Sequence, residues 1–373
     1  MKLRFPRKKN KEIDEEFRIY YEKPSATWKR ILRSVFPFFN LGIAGLVIWW
    51  SMSRGDYEPG EALAVNINFW WIVLGFAVYY AAELIECLRS YFVMRTTVDK
   101  KNFTLVSKNY LLSKHYDALT PFSGGGKPYQ LYYLHKNGLN FGQTTTMMVS
   151  NFIIGRIGFQ IATGIPLLLL ISRFGELGGY GVVLSAVILG IIFNVGLTVF
   201  LVIVAFSKKI PQIVTSWGIW LFAKLRIIKD KQKVGKAMDE SLWQYRVTMR
   251  RLLKKPLLLL GFVAMSTVAT FLHVFVIVFV YLAVGGNDPA HIPLLLLGIV
   301  LTWYTALSTP IPGGTGALEL FFIAIFATVI PSPHIFIAVA IYRVFSYVLP
   351  IVNGVPIVLW DAYRDRRKRI LSK

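Results

Sequence analysis

Residues 120–131 read TPFSGGGKPYQL, and residues 309–320 repeat the pattern as TPIPGGTGALEL. The two copies share a Thr-Pro start, a pair of adjacent glycines and a final leucine. Proline has no amide hydrogen with which to continue a helix, and glycine permits a sharp reversal of the chain. Each copy therefore predicts a break between two helical pieces, which we interpret as re-entrant hairpins at residues 105–140 and 292–330.

The chain around these motifs is too apolar for a disordered protein or a basic soluble domain. Hydrophobic residues make up 55% of its 373 residues and charged residues only 17%. Apolar runs of about 20 residues are long enough to cross a bilayer as helices. We predict an all-α, polytopic membrane helix bundle with about seven spans. The apolar runs lie near residues 35–52, 69–91, 144–171, 182–206, 256–284, 292–307, 317–330 and 334–360.

The sequence offers no motif for a metal or a cofactor. Its one cysteine, Cys87, excludes a disulfide framework and a multi-cysteine metal site. The glycine-rich stretch at residues 124–128 (GGGKP) lacks the Lys-Ser/Thr ending of a nucleotide-binding phosphate loop. We therefore expect no cofactor, no metal, no nucleotide hydrolysis and no nucleic-acid partner.

Basic residues predict the orientation of the spans, because positively charged loops stay on the cytoplasmic side. Nearly all of the 42 Lys and Arg lie in four segments, at residues 1–34, 87–140, 207–255 and 361–373. We expect a plasma-membrane protein with both termini cytoplasmic and with anionic membrane lipids as partners. We predict a basic N-terminal tail at residues 1–34 and a single transmembrane domain at 35–360. The domain contains a basic interfacial insert at 207–255, and a second basic tail follows at 361–373.

This orientation relates the two hairpins to each other. The first hairpin lies between spans whose near ends are cytoplasmic, so it enters the membrane from inside. The second lies between two outside loops and enters from outside. We therefore predict an inverted internal repeat, with its halves at about residues 35–171 and 182–360. Inverted repeats with discontinuous helices place a site near the membrane midplane.

One arginine lies inside an apolar span after each copy of the motif. Arginine at mid-depth is costly, so Arg156 and Arg343 should face a wet cavity or a partner. Two interpretations stay open. Each guanidinium either braces helices through the carboxylate of Glu83, Glu86 or Glu319, or binds a lipid phosphate. Both hold if the phosphate displaces the carboxylate.

Backbone amides at the breaks form a second predicted anion site. The amides that begin each returning half-helix point toward one place, where the helix dipole also favours negative charge. The alternative is that the breaks are packing turns without a ligand. The candidate substrate-binding residues are Thr120, Ser123, Gly124, Gly125, Gly126, Gln130, Arg156, Gln160, Thr309, Gly313, Gly314, Thr315, Glu319, Arg343 and Tyr347.

Three stretches of the chain resemble one known family. TPFSGGGKPYQLYYL at residues 120–134, IPGGTGALELFF at 311–322 and IYRVFSYVLP at 341–350 are similar to the flippase-like membrane domain of lysylphosphatidylglycerol synthetase proteins. The resemblance covers roughly residues 30–360. It implies a bundle with two re-entrant hairpins that moves polar lipids between leaflets.

The resemblance leaves three functions to distinguish. The first is a flippase-like transporter of a phosphate-bearing lipid. The second is a phosphatidylglycerol lysyltransferase or an accessory to one. In the bifunctional proteins a C-terminal domain makes the aminoacylated lipid, and because this sequence ends at Lys373 we expect no such enzyme activity. The third is a non-transporting membrane partner of a cell-envelope glycosyltransferase, suggested by the large basic inner face.

Overall fold

The structure is a computed structural model, and every regular element in the part of the chain it describes is helical. This confirms the predicted all-α class. The described residues are 66–170, 181–206, 254–306, 311–330 and 334–371, together with Gly42 and Trp49. The α-helices in these ranges are α1 Phe69–Thr97, α2 Phe103–Leu119, α3 Gly126–Lys136, α4 Phe141–Leu170, α5 Gly181–Phe206, α6 Pro256–Ala283, α7 Ile292–Ala306, α8 Ala317–Phe326, α9 His334–Arg343 and α10 Leu349–Leu371.

Helix length and composition confirm a polytopic membrane bundle. Four helical stretches are long and apolar enough to cross a membrane, at Phe69–Thr97, Gly142–Leu168, Pro256–Ala283 and His334–Arg364. Shorter apolar stretches accompany them at Ile188–Phe200, Pro289–Tyr304 and Pro312–Phe326. Where the structure describes them, the predicted apolar runs coincide with helices.

Several predicted segments lie outside the described residues. These are the tail 1–34, the first apolar run at 35–52 apart from Gly42 and Trp49, and nearly all of the insert 207–255. At the other end, α10 continues through Asp361 to Leu371, so the predicted tail 361–373 is helical over most of its length.

Local signals in the sequence account for where the helices begin. Asn68 precedes α1, and its side-chain Oδ1 accepts a hydrogen bond from the Trp70 amide at 3.1 Å. Asn102 does the same for Leu105 at the start of α2, at 2.9 Å. Both are N-caps that satisfy amides with no partner inside the helix. Pro256 opens α6, where a missing amide hydrogen costs nothing.

A π-helical turn, Val344–Val348, joins α9 to α10 directly after Arg343. The amide of Leu349 bonds to the carbonyl of Val344, five residues back. Pro350 follows and has no amide hydrogen for the ordinary bond four residues back, which favours this wider turn. Such turns are frequent at functional sites.

Helices α1, α4 and α6 form the centre of the bundle, where small residues permit close approach. On α4, a Cβ atom at Gly158 would lie 2.5 Å from the side chain of Ser266 on α6. Helices α7 and α9 pack against α6, and α8 packs against α7 and α9, around a large buried apolar core that includes Phe322 and Phe326.

The first hairpin is anchored to the last helix. Helix α2 packs along α10, and the Nδ1 atom of His115 lies 2.9 Å from the carbonyl oxygen of Ile351. Gly354 makes room for the imidazole, since a Cβ there would lie 2.4 Å from His115. The first hairpin is therefore packed directly on the helix that follows the π-helical turn after Arg343.

Candidate functional site

The two copies of the sequence motif lie against each other in space. The first copy forms a short 3-10 turn at Pro121–Ser123, between α2 and α3. The second forms an equivalent turn at Pro312–Gly314, between α7 and α8. The two turns are in contact, and the second turn also touches α2. The breaks predicted from proline and glycine are thus present and adjacent.

In the first break, side chains hold the backbone together. The hydroxyl of Thr120 donates to the carbonyl of Tyr116 and accepts from the amide of Gly125, each at 2.7 Å. The amide of Gly126 donates to the Asp117 carboxylate at 2.8 Å. These internal hydrogen bonds fix the path of the chain through the reversal.

The two copies use their glycines differently. In the second copy, Gly313 and Gly314 have φ angles of 64° and 61°, which glycine adopts readily. In the first copy, the left-handed residues are Phe122 and Ser123, at 55° and 50°. The prediction that glycine itself reverses the chain is therefore wrong for the first copy. Pro312 occupies the position of Ser123 in the second motif, and its ring forbids a positive φ there.

Close packing explains the glycine at position 126. A Cβ atom on Gly126 would lie 2.3 Å from the backbone oxygen of Ser113 and 2.5 Å from Asp117. We expect Gly126→Ala to lower the free energy of unfolding by about 1–3 kcal/mol, because the backbone has to shift. Thermal unfolding of the detergent-solubilised protein measures the effect.

Gly124→Ala is the matched control, two residues away in the same motif. Its φ angle is −94°, and a Cβ would lie 3.4 Å from the nearest atom, the carbonyl oxygen of Pro121. We expect this variant to unfold within about 0.5 kcal/mol of the wild type. Equal effects of the two alanines would contradict the packing explanation.

The backbone amides that we predicted as an anion site donate hydrogen bonds to carboxylates of the protein itself. Gly126 donates its amide to Asp117, as described above, and Gly316 donates its amide to Glu319 Oε2 at 2.7 Å. Negative charge does lie at the start of each returning helix, as the helix dipole favours. Each position is thus filled from within the chain.

Arg343 forms an ion pair with Glu319, as the bracing interpretation predicts. Its Nε donates to Glu319 Oε1 at 2.5 Å, and its Nη1 donates to the carbonyl oxygen of Gly313 at 2.8 Å. Arg343 is 4% exposed and Glu319 is fully buried. The Nη2 atom is buried and has no hydrogen-bond partner among the described residues. The ion pair thus fastens α9 to the second break.

Arg156 lies in a different cluster, between α4 and α5. Its Nε lies 3.3 Å from the hydroxyl oxygen of Thr198, and its Nη2 donates to the carbonyl and side-chain oxygens of Asn194. Gln160, one turn along α4, bonds to the Thr198 hydroxyl at 3.1 Å and accepts from Tyr304 at 2.9 Å. All of these partners are neutral, and Arg156 forms no ion pair within the described part of the chain.

The other candidate partners of the arginines are paired elsewhere. Glu86 forms an ion pair with Arg89 at 2.6 Å and accepts a hydrogen bond from Ser266 at 2.8 Å. Glu83 lies 3.1 Å from His273 Nε2 on α6. Only Glu319, among the three proposed carboxylates, contacts one of the two arginines.

The predicted site residues that the structure describes form two groups, with Gln130 in neither of them. Thr309 lies outside the described residues. The breaks and their bracing bring together Thr120, Ser123, Gly124, Gly125, Gly126, Gly313, Gly314, Thr315, Glu319, Arg343 and Tyr347, while Gln130 is buried on α3 and Arg156 and Gln160 form the separate cluster.

Sequence reasoning missed three polar residues that make the contacts described above. Arg89 and Asp117 were counted with a basic cytoplasmic segment, and Thr198 was not considered. The spacing of Glu86 and Arg89, three residues apart on a helix, was the available signal for the first. No comparable signal identifies Asp117, whose partner is the amide of Gly126, nine residues further on.

The comparison with known families decides the affiliation. Residues 38–354 match the family model described as the lysylphosphatidylglycerol synthase TM region. The chain belongs to this family. No curated protein and no solved structure matches the chain. Together with the apolar helices, this membership indicates a multi-pass membrane protein of the lysylphosphatidylglycerol synthase TM-region family.

Proposed function

We propose that this protein is a transporter that moves a phosphate-bearing lipid between the leaflets of its membrane. The observation that carries the proposal is the environment of Arg156, a half-buried cation in an apolar span whose described partners are all neutral. An arginine at membrane depth is expensive to maintain and marks a functional position by default. A ligand anion that arrives with the substrate would neutralise it.

The chemistry of Arg156 fits phosphate. Arginine stays charged, and its planar guanidinium donates pairs of parallel hydrogen bonds to phosphate oxygens. The bonds to Thr198 and Asn194 use Nε and Nη2 and fix the plane of the group. Nη1 makes none of these bonds and is therefore the donor we assign to the lipid phosphate.

The surroundings of Arg156 also fit the acyl chains of a lipid. Helix α5, which supplies Asn194 and Thr198, exposes bulky apolar side chains along the same stretch, and these are Ile188, Leu189, Ile192, Phe193, Val195, Val199, Phe200 and Ile203. A lipid whose headgroup reaches Arg156 would keep its tails against this apolar surface. The phosphate would then stay beside Arg156 and Gln160 on α4.

The two breaks supply the moving parts in this proposal. We propose that the hairpins enter from opposite sides as an inverted repeat, and the contact between their turns supports this arrangement. Rocking of one repeat against the other gives alternating access around a fixed site. In this scheme Arg343 holds the second break to α9, and Arg156 binds the substrate.

The proposal also sets the surroundings in which the protein works. We place it in the plasma membrane with both termini cytoplasmic, because its basic residues favour that side. Anionic lipids are the partners we propose for its basic surfaces. The chain acts in this scheme as a transporter and does not itself transfer lysine.

Transport by the purified protein in vesicles tests the proposal. The probes are tail-labelled phosphatidylglycerol, its lysyl ester, a polyprenyl phosphate and a phosphate-free glycolipid, with a membrane-impermeant quencher outside. We expect the phosphate-bearing probes to cross between leaflets faster than in protein-free vesicles and the phosphate-free glycolipid to cross at the protein-free rate. Equal rates for all four probes, or no transport of any, would contradict the proposal.

The same preparation distinguishes the other two functions. Formation of lysylphosphatidylglycerol from phosphatidylglycerol and lysyl-tRNA by the purified chain would establish the enzyme. Stable co-purification with a cell-envelope glycosyltransferase, without transport in vesicles, would favour the assembly partner.

A further inference from the structure

Glu83 on α1 and His273 on α6 form a buried ionisable pair outside both clusters described above. Glu83 is 4% exposed, and its Oε1 atom lies 3.1 Å from the Nε2 atom of His273. The two helices pack together along most of their length. The transport scheme so far gives this pair no role.

The hydrogen bonds of His273 fix how many protons the pair holds. Nδ1 lies 3.0 Å from the carbonyl oxygen of Ala269, which only accepts, so Nδ1 carries a proton. The contact between Nε2 and Glu83 Oε1 then requires one further proton, on either atom. The pair is thus imidazolium with carboxylate, or neutral imidazole with carboxylic acid. Loss of that proton would leave a carboxylate oxygen facing a nitrogen lone pair.

We propose that Glu83 and His273 form a proton-binding site that couples lipid movement to a proton gradient across the membrane. The inference rests on the proposed transport function and adds its source of energy. The site binds one proton in one orientation of the transporter and releases it in the other. The neighbouring contact of Glu86 with Arg89 is a separate, paired interaction and leaves this proton to Glu83 and His273.

The charged and titratable groups around the pair come from two helices. Helix α1 contributes Tyr79, Cys87 and the Glu86–Arg89 ion pair, and α2 contributes Tyr110 and Lys114. The second carboxylate oxygen, Glu83 Oε2, is buried and lacks a hydrogen-bond partner within the described ranges. In this proposal Oε2 takes up the proton while the His273 contact stays in place.

Aromatic packing links the pair to the π-helical turn. The His273 ring meets Tyr79 edge-on, with centroids 5.3 Å apart, and Tyr79 packs against Phe345 at 6.1 Å. Phe345 belongs to the π-helical turn that follows Arg343. A packed element with two alternative arrangements is what coupling between sites requires, and in this proposal the π-helical turn is that element.

The experiment measures tail-labelled phosphatidylglycerol in vesicles with and without an imposed pH gradient. We expect the gradient to accelerate transport by the wild type severalfold and Glu83→Gln to abolish that acceleration, because glutamine bonds to Nε2 without a titratable proton. Asp288→Asn, which removes an exposed carboxylate outside α6, is the control and keeps the response. An unchanged gradient response in Glu83→Gln would overturn the proposal.

A second measurement is independent of transport. Proton uptake by the detergent-solubilised protein, followed with a pH-indicator dye across a titration, should be smaller by one proton in Glu83→Gln. If the wild type moves no lipid, the transport function fails, and this titration alone decides whether the pair binds a proton. Should Glu83→Gln fail to fold, His273→Gln replaces it in both measurements. Equal proton uptake by the variant and the wild type would contradict the site.

Discussion

Glu319→Gln is expected to lower the free energy of unfolding by about 3–5 kcal/mol, because it leaves a buried charge without its partner. Glu319 is fully buried and Arg343 is 4% exposed. The carboxylate accepts both the Arg343 Nε hydrogen and the amide of Gly316, so its loss weakens the brace and the second break together. Chemical unfolding of the detergent-solubilised protein measures the change.

Two variants control for this result. The Glu319→Gln, Arg343→Gln double variant removes both charges, and we expect it to be more stable than Glu319→Gln alone. Arg364→Gln breaks the contact of the exposed Arg364 with Asp361, 3.9 Å away, and we expect a loss below about 1 kcal/mol because the pair is long and partly solvated. If Glu319→Gln unfolds like Arg364→Gln, then the brace does not stabilise the fold.

Arg156→Gln is expected to abolish lipid transport while the protein stays folded. The variant removes a charge with no carboxylate partner in the described part of the chain, so stability should be unchanged or increased. A lost charge-assisted contact of about 1.5–3 kcal/mol lowers affinity on the order of ten- to a hundredfold. The vesicle assay with tail-labelled phosphatidylglycerol measures the rate, and thermal unfolding measures stability.

Two further substitutions sharpen the result for Arg156. Arg156→Lys keeps the charge but loses the planar pair of donors, so we expect transport between that of the wild type and that of Arg156→Gln. Arg95→Gln removes an exposed arginine in the last turn of α1 and should transport normally. Normal transport by a folded Arg156→Gln would refute the phosphate role. A loss of stability as large as that in Glu319→Gln would assign Arg156 a structural one.

The contrast between the two arginines separates function from architecture. From the sequence, both look alike, since each is a single cation in an apolar span after a glycine-rich break. Within the described residues, Arg343 has Glu319 as a counterion, whereas Arg156 bonds to the neutral side chains of Asn194 and Thr198. Of the two open interpretations, the brace is therefore favoured for Arg343. The phosphate role of Arg156 stays a prediction.

Helix rotation explains why the sequence could not make this distinction. Helices α4, α5 and α6 are apolar on nearly every side, so their hydrophobic pattern does not report which face meets a neighbour. A rotation of one helix by a single position would give Arg156 or Glu83 a different partner. The spacing of Glu86 and Arg89 is a local signal and was readable, whereas the contact between Asp117 and Gly126 depends on how a break folds back.

The sequence by itself determined which stretches of this chain are long and apolar enough to cross a membrane and where its two motifs break the helices. The length of apolar runs must match the hydrocarbon thickness, and proline and glycine end helices whatever surrounds them. Only the tertiary structure decided which charges are neutralised and which glycines reverse the chain. Ion pairs and hydrogen bonds depend on distances of a few ångströms between helices far apart in the sequence, and no local pattern encodes those distances.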